Sequence, residues 1–303
     1  MLRRMMLIDG KLAPDGDSGN VLLYVNPDES ERRYLIDTLK LDEHTFSSAL
    51  DPDELARLEF EPSHIAIILK RPRNYSSIDT FVFGITSIGL FLFADKLIIV
   101  SSGEEPLFEG KRPAKIASLQ ELVLKIIDNA IFHFIGHLKV INTVSDALED
   151  QINASMQNKY LLNLFSLEKS LVYYLNAINS NGKLIERLKV NAAKLSLTAE
   201  QIEFIDDLQI ENIQCYEQAE IYSNILASMM DARVSIVSNN LNWLMKTLTI
   251  ITLAIMLPTF VVSVFSMNVQ FPGMDHPWMF WIVLLLAASS SMLVRFLWWW
   301  KKW

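Results

Sequence analysis

The chain has 303 residues, of which 51% are hydrophobic, and a formal net charge of −8. Its length allows about two domains, and its mean hydropathy of +0.23 is high for a soluble protein. The acidic balance argues against nucleic acid as a partner, because binding to phosphates needs clustered lysine and arginine. The single cysteine, Cys215, excludes an intrachain disulfide and a cysteine-rich zinc motif.

Residues 1–116 are predicted to form a cytosolic α/β domain, because strand-like and helix-like patterns alternate there. Arg3 and Arg4 precede only four apolar residues, too few for a signal-peptide core, so this part is expected to stay in the cytosol. Runs rich in β-branched and aromatic residues predict strands at residues 21–25, 65–69, 81–85, 89–93 and 97–101.

Helical patterns appear within this domain and dominate the region that follows. Residues 28–60 carry helical periodicity, and Asp51 followed by Pro52 has the composition of a helix start. Residues 117–196 carry apolar residues at steps of three and four, with a turn at about Asn158, and predict an antiparallel helical hairpin. Residues 179–182, Asn-Ser-Asn-Gly, are expected to weaken or kink its second arm.

His133 and His137 stand four residues apart on the first arm of the hairpin, a spacing that can bind zinc. The flanking Phe132 and Phe134 favour an ordinary packed pair instead. The sequence carries no Ser-His-Asp set and no phosphate-binding glycine loop, so we expect neither an enzyme nor a protein substrate.

Residues 197–246 are predicted to form a stalk helix. Thr198 with Gln201 has the pattern of a capping box, and no proline follows before Pro258. A single helix is therefore predicted to run from about residue 199 to about residue 265. At 1.5 Å per residue it would be roughly 100 Å long.

The C-terminal part is predicted to cross the membrane twice, as helices at residues 247–268 and 278–298 with an external loop at residues 269–277. Residues 247–274 and 276–294 contain no charged side chain, and a span needs about 20 apolar residues. Basic residues stand before the first span and after the second, but none stands in the loop. The positive-inside rule therefore places both termini, including the basic tail at residues 299–303, in the cytoplasm.

A stripe of mainly small, polar or methionine side chains follows one face of the long helix at steps of three and four. A coiled-coil seam would carry Leu or Ile at such positions. Several copies that turn this face inward would enclose a hydrophilic conduit, so we expect a symmetric oligomer. The alternative is that the hydroxyl-bearing residues only help helices to pack in lipid. The stripe comprises Asp207, Ile210, Gln214, Glu217, Ile221, Asn224, Ser228, Asp231, Ser235, Ser238, Asn242, Met245, Thr249, Thr252, Met256, Thr259, Ser263 and Ser266.

Ser266, Met267 and Asn268 stand where the first span is predicted to end. Asn268 offers a neutral carbonyl and amide at the external mouth. A ring of such groups can hold a divalent cation through its water shell, and Mg²⁺ dehydrates reluctantly. Such a ring selects ions by size and hydration rather than by tight charge pairing.

The residues Met245-Lys246-Thr247-Leu248-Thr249, then Pro258-Thr259, then Phe265-Ser266-Met267-Asn268, with a short loop, a second span and a basic tail, resemble the CorA family of magnesium transporters. The resemblance extends to residues 237–242 and 49–54. It implies a funnel-shaped homopentamer in a bacterial inner membrane that passes Mg²⁺ passively into the cell. It also implies a selectivity filter at residues 266–268 and a pore lining that includes Met245, Leu248, Thr249, Met256, Thr259 and Ser266.

In this family, Mg²⁺ bound between cytosolic domains holds the channel closed. Counting back from Asn268 without gaps places Asp207 at the family's acidic position near the start of the stalk, and Asp206 is a second candidate. The resemblance therefore implies a regulatory metal site at this end of the long helix.

Two departures from the family pattern leave other functions open. Ser266 replaces the glycine of the family signature. The external loop lacks the family's usual Met-Pro-Glu run, keeps an acidic charge only as Asp275, and adds His276. Imidazole suits transition metals better than Mg²⁺, so a Zn²⁺, Co²⁺ or Ni²⁺ transporter is the close alternative. A non-conducting, membrane-anchored coiled-coil scaffold is the second alternative.

Overall fold

The computed structural model describes residues 2–8, 11–14, 19–75, 81–104, 107, 116–154, 158–269, 273 and 276–300. The chain divides into two compact units, Met1–Met230 and Asp231–Trp303. The first unit contains a mixed sheet covered by helices. The second contains the C-terminal part of one long helix and all of another.

Among the described residues, seven strands form one sheet in the first unit, in the order β2-β1-β3-β7-β6-β5-β4. Strands β3 and β7 pair in parallel, and the other neighbours pair antiparallel. The strands are β1 (Leu2–Ile8), β2 (Lys11–Pro14), β3 (Val21–Val25), β4 (Arg57–Phe60), β5 (Ile65–Pro72), β6 (Ile85–Leu92) and β7 (Leu97–Ser101).

Both faces of this sheet are buried, and alternate side chains enter two different hydrophobic cores. Ile67 of β5 lies in the larger core, with side chains from the helices that follow the sheet in the chain. Ile68 lies in the smaller core on the other face, together with Leu35 and Phe46. The short helical segments on that face are α1 (Glu29–Arg33), a turn of π-helix (Tyr34–Thr38) and α2 (Glu43–Ser48).

The predicted helix start at Asp51 is wrong, because residues 51–54 form a turn. The Asp51 carboxylate accepts the backbone N–H of Asp53 at 2.9 Å, which is the local bond of a turn. The carbonyl of Pro52 accepts a hydrogen bond from Lys70 Nζ on β5. The helix in this region is α2, which Asp42 caps by accepting the N–H of Thr45.

Two features of the sheet also differ from the predicted strands. One strand, β6 (Ile85–Leu92), stands where two were predicted; it includes only Ile85 of the run at residues 81–85 and most of the run at residues 89–93. The segment before it is not a strand, and Phe81 has a φ of 64°. Strands β1 and β2 pair with each other but lack a clear alternating pattern in the sequence, and they were not predicted.

The two helices α3 (Leu119–Ala154) and α4 (Asn158–Val190) pack on each other and on the sheet. Asn158 is the first residue of α4 rather than the turn, and the predicted connection falls on residues 155–157, outside the described residues. The predicted kink at residues 179–182 is wrong, because α4 continues through them.

Helix α5 covers Ala199–Phe265, as the sequence predicts, and α6 covers Trp278–Trp300. The predicted capping box is present. The Gln201 N–H donates to Thr198 Oγ1 at 3.2 Å, and the Thr198 N–H donates to Gln201 Oε1 at 3.0 Å. The residues that anchor the N-terminal part of α5 in the first unit are Ile205, Leu208, Asn212, Cys215, Ala219 and Leu226, all buried.

Candidate functional site

Among the described residues, α5 and α6 are the two helices long and apolar enough to cross a bilayer. Their most apolar windows have mean hydropathies of 2.3 and 2.0, and none of either window is buried inside the chain. A helix that is apolar all round and is not covered by other parts of the protein is typical of a membrane span.

Within the second unit, α5 and α6 each have one partly covered face. The Ser291 hydroxyl of α6 donates to the Ala254 carbonyl of α5 at 3.4 Å, which places the two faces together. Because the covered positions recur at steps of three or four, they form one stripe on each helix. They are Thr247, Ile250, Ala254, Leu257, Pro258, Val261 and Val264 on α5, and Met279, Val283, Ala287, Ser290, Ser291 and Val294 on α6.

Within the second unit, the part of the polar stripe from Met245 to Ser263 lies on the opposite side of α5. Met245 stands nine residues before Ala254 and Ser263 nine residues after it, and nine residues make about two and a half helical turns. Both therefore point away from α6. Every stripe residue from Asp207 to Ser266 is exposed in the single chain, and so is Leu248.

Several hydroxyl groups of the stripe are bonded within their own helix. Thr249, Thr252 and Thr259 donate to the carbonyls four residues earlier, at 2.8, 2.8 and 2.7 Å. Each donor is thereby satisfied, while the oxygen keeps lone pairs that face outward. These three threonines can line a conduit or face lipid without leaving their hydroxyl donors unpaired.

The predicted filter residues stand directly after the last helical residue, Phe265. The backbone N–H of Ser266 still bonds to the carbonyl of Val262 at 3.1 Å, and the Ser266 hydroxyl donates to the same carbonyl at 3.0 Å. Met267 and Asn268 follow as exposed residues outside the helix. Ser266 thus extends the hydrogen bonding of the helix end, and the Asn268 side chain is free to face solvent.

Only one of the two loop residues of the candidate site belongs to the described part of the chain. His276 is exposed, and its backbone N–H bonds to the carbonyl of Gly273 at 3.1 Å. Asp275 lies outside the described residues.

The candidate regulatory carboxylates have different surroundings near the start of α5. Asp206 forms an ion pair with Lys189 of α4, with the Oδ1 and Nζ atoms 2.6 Å apart. Asp207 is exposed and lies at the end of the polar stripe. Asp206 thus already neutralises a cation of its own chain, whereas the Asp207 side chain is exposed to solvent.

His133 and His137 form the packed pair that the sequence favours. The Nδ1 atom of His137 lies 2.7 Å from the Tyr174 hydroxyl, and that of His133 lies 3.1 Å from Nη2 of Arg71. Burial, assisted by the Arg71 charge, lowers the pKa of each histidine to about 4. Among the described residues no group of three or more His, Cys, Asp and Glu could hold a metal ion, and a guanidinium beside the imidazole further disfavours a cation here.

The contact between Ser291 and Ala254 was not anticipated from the sequence. Its signal was present, because Pro258 lies within a predicted helix and has no N–H for the carbonyl four residues earlier. The run Ser289-Ser290-Ser291 provides hydroxyl donors on the other span. The sequence alone does not show which serine faces that carbonyl.

A family of known proteins, individual relatives and solved structures are similar to this chain over most of its length. Residues 22–302 match the model of a family described as CorA-like Mg²⁺ transporter protein. A protein named cobalt/magnesium transport protein CorA from Methanocaldococcus jannaschii is 25% identical over 245 residues, which cover 78% of this chain and 75% of that relative. A protein of the same name from Thermotoga maritima is 24% identical over 183 residues, 60% of this chain and 52% of the relative.

The solved structure of the complete CorA magnesium transporter from Methanocaldococcus jannaschii has the same fold. The superposition covers 98% of this chain and 96% of the CorA chain, with a TM-score of 0.80 and 19% sequence identity. The predicted fold class, an α/β domain with long helices and two C-terminal apolar helices, is confirmed. The resemblance identified from the residues around Pro258 and Asn268 is confirmed by the family match.

Proposed function

Because the chain belongs to the CorA-like Mg²⁺ transporter family, a family of membrane transporters for divalent cations, we propose that it forms a homopentameric channel for passive Mg²⁺ influx. In this proposal five copies of α5 surround the pore, and each turns the polar stripe toward the axis. The bilayer surrounds α6, and the basic residues Lys246 and Arg295 lie on the cytoplasmic side. A bacterial inner membrane is the proposed location.

The observation that carries the proposal is the position of the polar stripe relative to α6. Residues such as Met245 and Ser263 lie half a turn away from the face that α6 covers. If α6 lies on the outside of the assembly, the stripe is turned toward the axis. Hydroxyl oxygens with free lone pairs then line the path, and they can accept hydrogen bonds from the water shell of a cation.

A ring of Asn268 side chains at the external mouth is the proposed selectivity filter, with Ser266 and Met267 beside it. Support comes from the exposed position of Asn268 immediately beyond the helix end. An amide ring attracts a hydrated cation weakly enough to release it again, which conduction requires. Mg²⁺ suits this arrangement because it keeps several of its waters.

Transport of another metal on the same scaffold remains the alternative, since the two relatives are named for cobalt as well as magnesium. His276 near the mouth is the residue that favours Co²⁺, Zn²⁺ or Ni²⁺. Reconstituted protein is expected to pass Mg²⁺ into liposomes down an electrochemical gradient, and a competition series with Co²⁺, Zn²⁺ and Ni²⁺ ranks the ions. Preferential Co²⁺ or Zn²⁺ flux would favour the alternative, and a complete absence of flux would favour a non-conducting scaffold.

Cysteine labelling provides a direct prediction for the pore lining. Cysteines introduced at Thr249, Thr259 and Ser263 are expected to react with a membrane-impermeant thiol reagent, because water reaches the stripe. Ile250→Cys and Val261→Cys, on the face covered by α6, are the matched controls and are expected to stay unlabelled. The native thiol gives little background, since burial raises the pKa of Cys215 to about 12 and the thiolate is the reactive form.

Labelling of the two control positions but not of the stripe would contradict this orientation of α5. Equal protection at all five positions would fit a lipid-embedded scaffold with no water-filled path. Rates compared in the same liposome preparation separate these outcomes.

Asp207 is the proposed regulatory ligand for cytosolic Mg²⁺, with Asp206 as a second candidate. Asp207 is exposed at the end of the stripe, and a carboxylate oxygen is a preferred Mg²⁺ ligand. We expect Asp207→Ala to weaken the protection from protease that Mg²⁺ gives the cytosolic domain, raising the Mg²⁺ concentration for half protection by about tenfold, or 1.4 kcal/mol.

Glu220→Ala is the control, because Glu220 is another exposed carboxylate on α5. It removes the same charge and is expected to leave the Mg²⁺ titration unchanged. Identical titrations for wild type and Asp207→Ala would remove Asp207 from the regulatory site.

A further inference from the structure

Pro258 interrupts the hydrogen bonding of α5 inside the membrane span. Proline has no N–H, so the carbonyl four residues earlier, that of Ala254, has no backbone donor within the helix. The ring of a proline also crowds this carbonyl and tilts it outward. In lipid no water is present to satisfy it, so a neighbouring side chain must do so.

Ser291 of α6 is that neighbour. Its hydroxyl donates to the Ala254 carbonyl across the helix pair, at 3.4 Å. The two preceding serines behave differently. Ser289 donates to the carbonyl of Leu286 at 2.9 Å, and Ser290 donates to that of Ala287 at 2.7 Å, both within α6. Ser291 therefore provides a bond between the two spans at the point where α5 lacks one of its own.

Small side chains lie where the two helices meet at this level. Ala254 on α5 and Ala287 with Ser290 on α6 all lie on the covered faces. Close approach of backbones at small residues is a common way for membrane helices to pack. The bond lies at the level of the polar stripe but on the opposite face of α5, because Ala254 and Pro258 alternate in sequence with Met256 and Thr259 near the middle of the span.

We propose that Ser291 is a positioning residue for conduction: its hydroxyl replaces the N–H that Pro258 lacks, and this bond fixes α5 against α6 at the middle of the pore. The inference rests on the proposed function for the assignment of the stripe to the pore. Without the bond, the free Ala254 carbonyl can be satisfied only by movement of α5, and the upper half of the stripe then loses its alignment with the lower half.

The test combines Ser291→Ala with Pro258→Ala, because alanine at position 258 restores the backbone N–H to the Ala254 carbonyl. Ser291→Ala alone is expected to lower Mg²⁺ flux per reconstituted protein at least threefold, and Ser291→Thr is expected to restore it. In the Pro258→Ala background, Ser291→Ala is expected to change flux by less than 1.5-fold. Ser289→Ala, which removes a self-bonded hydroxyl from the same helix, is the control and is expected to match wild type.

Thermal unfolding of the same full-length variants in detergent provides a readout that does not require conduction. Ser291→Ala is expected to lower the midpoint by a few degrees, and this shift is expected to vanish in the Pro258→Ala background. If the wild-type protein passes no Mg²⁺ but the thermal shifts are coupled in this way, the proposed function fails and the bond between the spans stands. If the wild type conducts and Ser291→Ala matches Ser289→Ala in both readouts, the role of Ser291 is overturned.

Discussion

Replacing Asn268 by lysine is expected to abolish Mg²⁺ flux, lowering it by more than about a hundredfold. In water, one ammonium group about 7 Å from Mg²⁺ repels the ion by roughly 1 kcal/mol. A ring of five such groups raises the barrier to entry by several kcal/mol, and each 1.4 kcal/mol or so is a factor of about ten. The exposed position of Asn268 beyond the helix end means that the longer side chain meets no packing obstacle. Flux into liposomes under a fixed gradient is the measurement.

His276→Lys is the matched control, because His276 is exposed and belongs to the same connecting segment. It introduces the same ammonium group near the mouth but away from the helix end, and we expect less than a threefold loss. An equal loss in both variants would indicate a general effect of charge at the membrane surface. Flux of Asn268→Lys at the wild-type level would exclude Asn268 from the conduction path.

The position of Asn268 just beyond the end of the first span was predictable because it depends on local sequence. Helix α5 ends at Phe265, as the sequence predicts, since its apolar and polar positions keep helical spacing from the cap at Thr198 onward. The polar stripe follows from the same spacing and needs no tertiary information. The position of the stripe on the side of α5 opposite α6 could not be predicted, because it depends on which side of α5 the second span packs against.

The α/β domain was less predictable because its local patterns depend on distant partners. Asp51 and Pro52 have the residue types of a helix start, yet Lys70 and Ser87 on two strands take the carbonyls of this segment as acceptors. Strands β1 and β2 are held by pairing with each other and with β3, not by an alternating apolar pattern. Tertiary hydrogen bonds here override the local preference.

The segment at residues 179–182 shows the same effect most clearly. Its composition predicts a weak point in α4, but its side chains connect α4 to the sheet. Asn181 is fully buried, and it both accepts from the backbone N–H of Lys70 at 2.9 Å and donates to the backbone carbonyl of Lys70 at 2.7 Å. Ser180 accepts the N–H of Ala56 at 2.9 Å, just before β4 begins.

These bonds satisfy backbone groups at the edge of the sheet, where β5 extends beyond its partner β4. Strand β4 has four residues, whereas its partner β5 has eight, and the pairing stops at Arg57 opposite Ile68. Lys70 lies beyond the end of β4. Without Asn181, the backbone N–H and carbonyl of Lys70 on that side of β5 would be buried without hydrogen-bond partners. The Asn181 amide has one acceptor and one donor group, which match the carbonyl and N–H of one strand residue. The helix therefore completes the hydrogen bonding of the strand edge.

Asn181→Leu is accordingly expected to destabilise the folded protein by about 2–5 kcal/mol, because it leaves the N–H and the carbonyl of Lys70 unpaired in a buried site. Leucine has the same branched skeleton of four side-chain heavy atoms and is not smaller, so the loss does not arise from a cavity. The measurement is thermal unfolding of the full-length protein in detergent, where the midpoint is expected to fall by roughly 5–15 °C.

Asn179→Leu, two residues earlier, makes the same chemical change at an exposed position of the same helix. It is expected to alter stability by less than about 0.5 kcal/mol, as surface substitutions usually do. If the two variants unfold at the same temperature, the Asn181 bonds contribute no net stability, and the edge of β5 must be satisfied in another way. If only Asn181→Leu lowers the unfolding temperature, the hydrogen bonds of this polar segment hold α4 against the sheet, although the same residues would weaken an isolated helix.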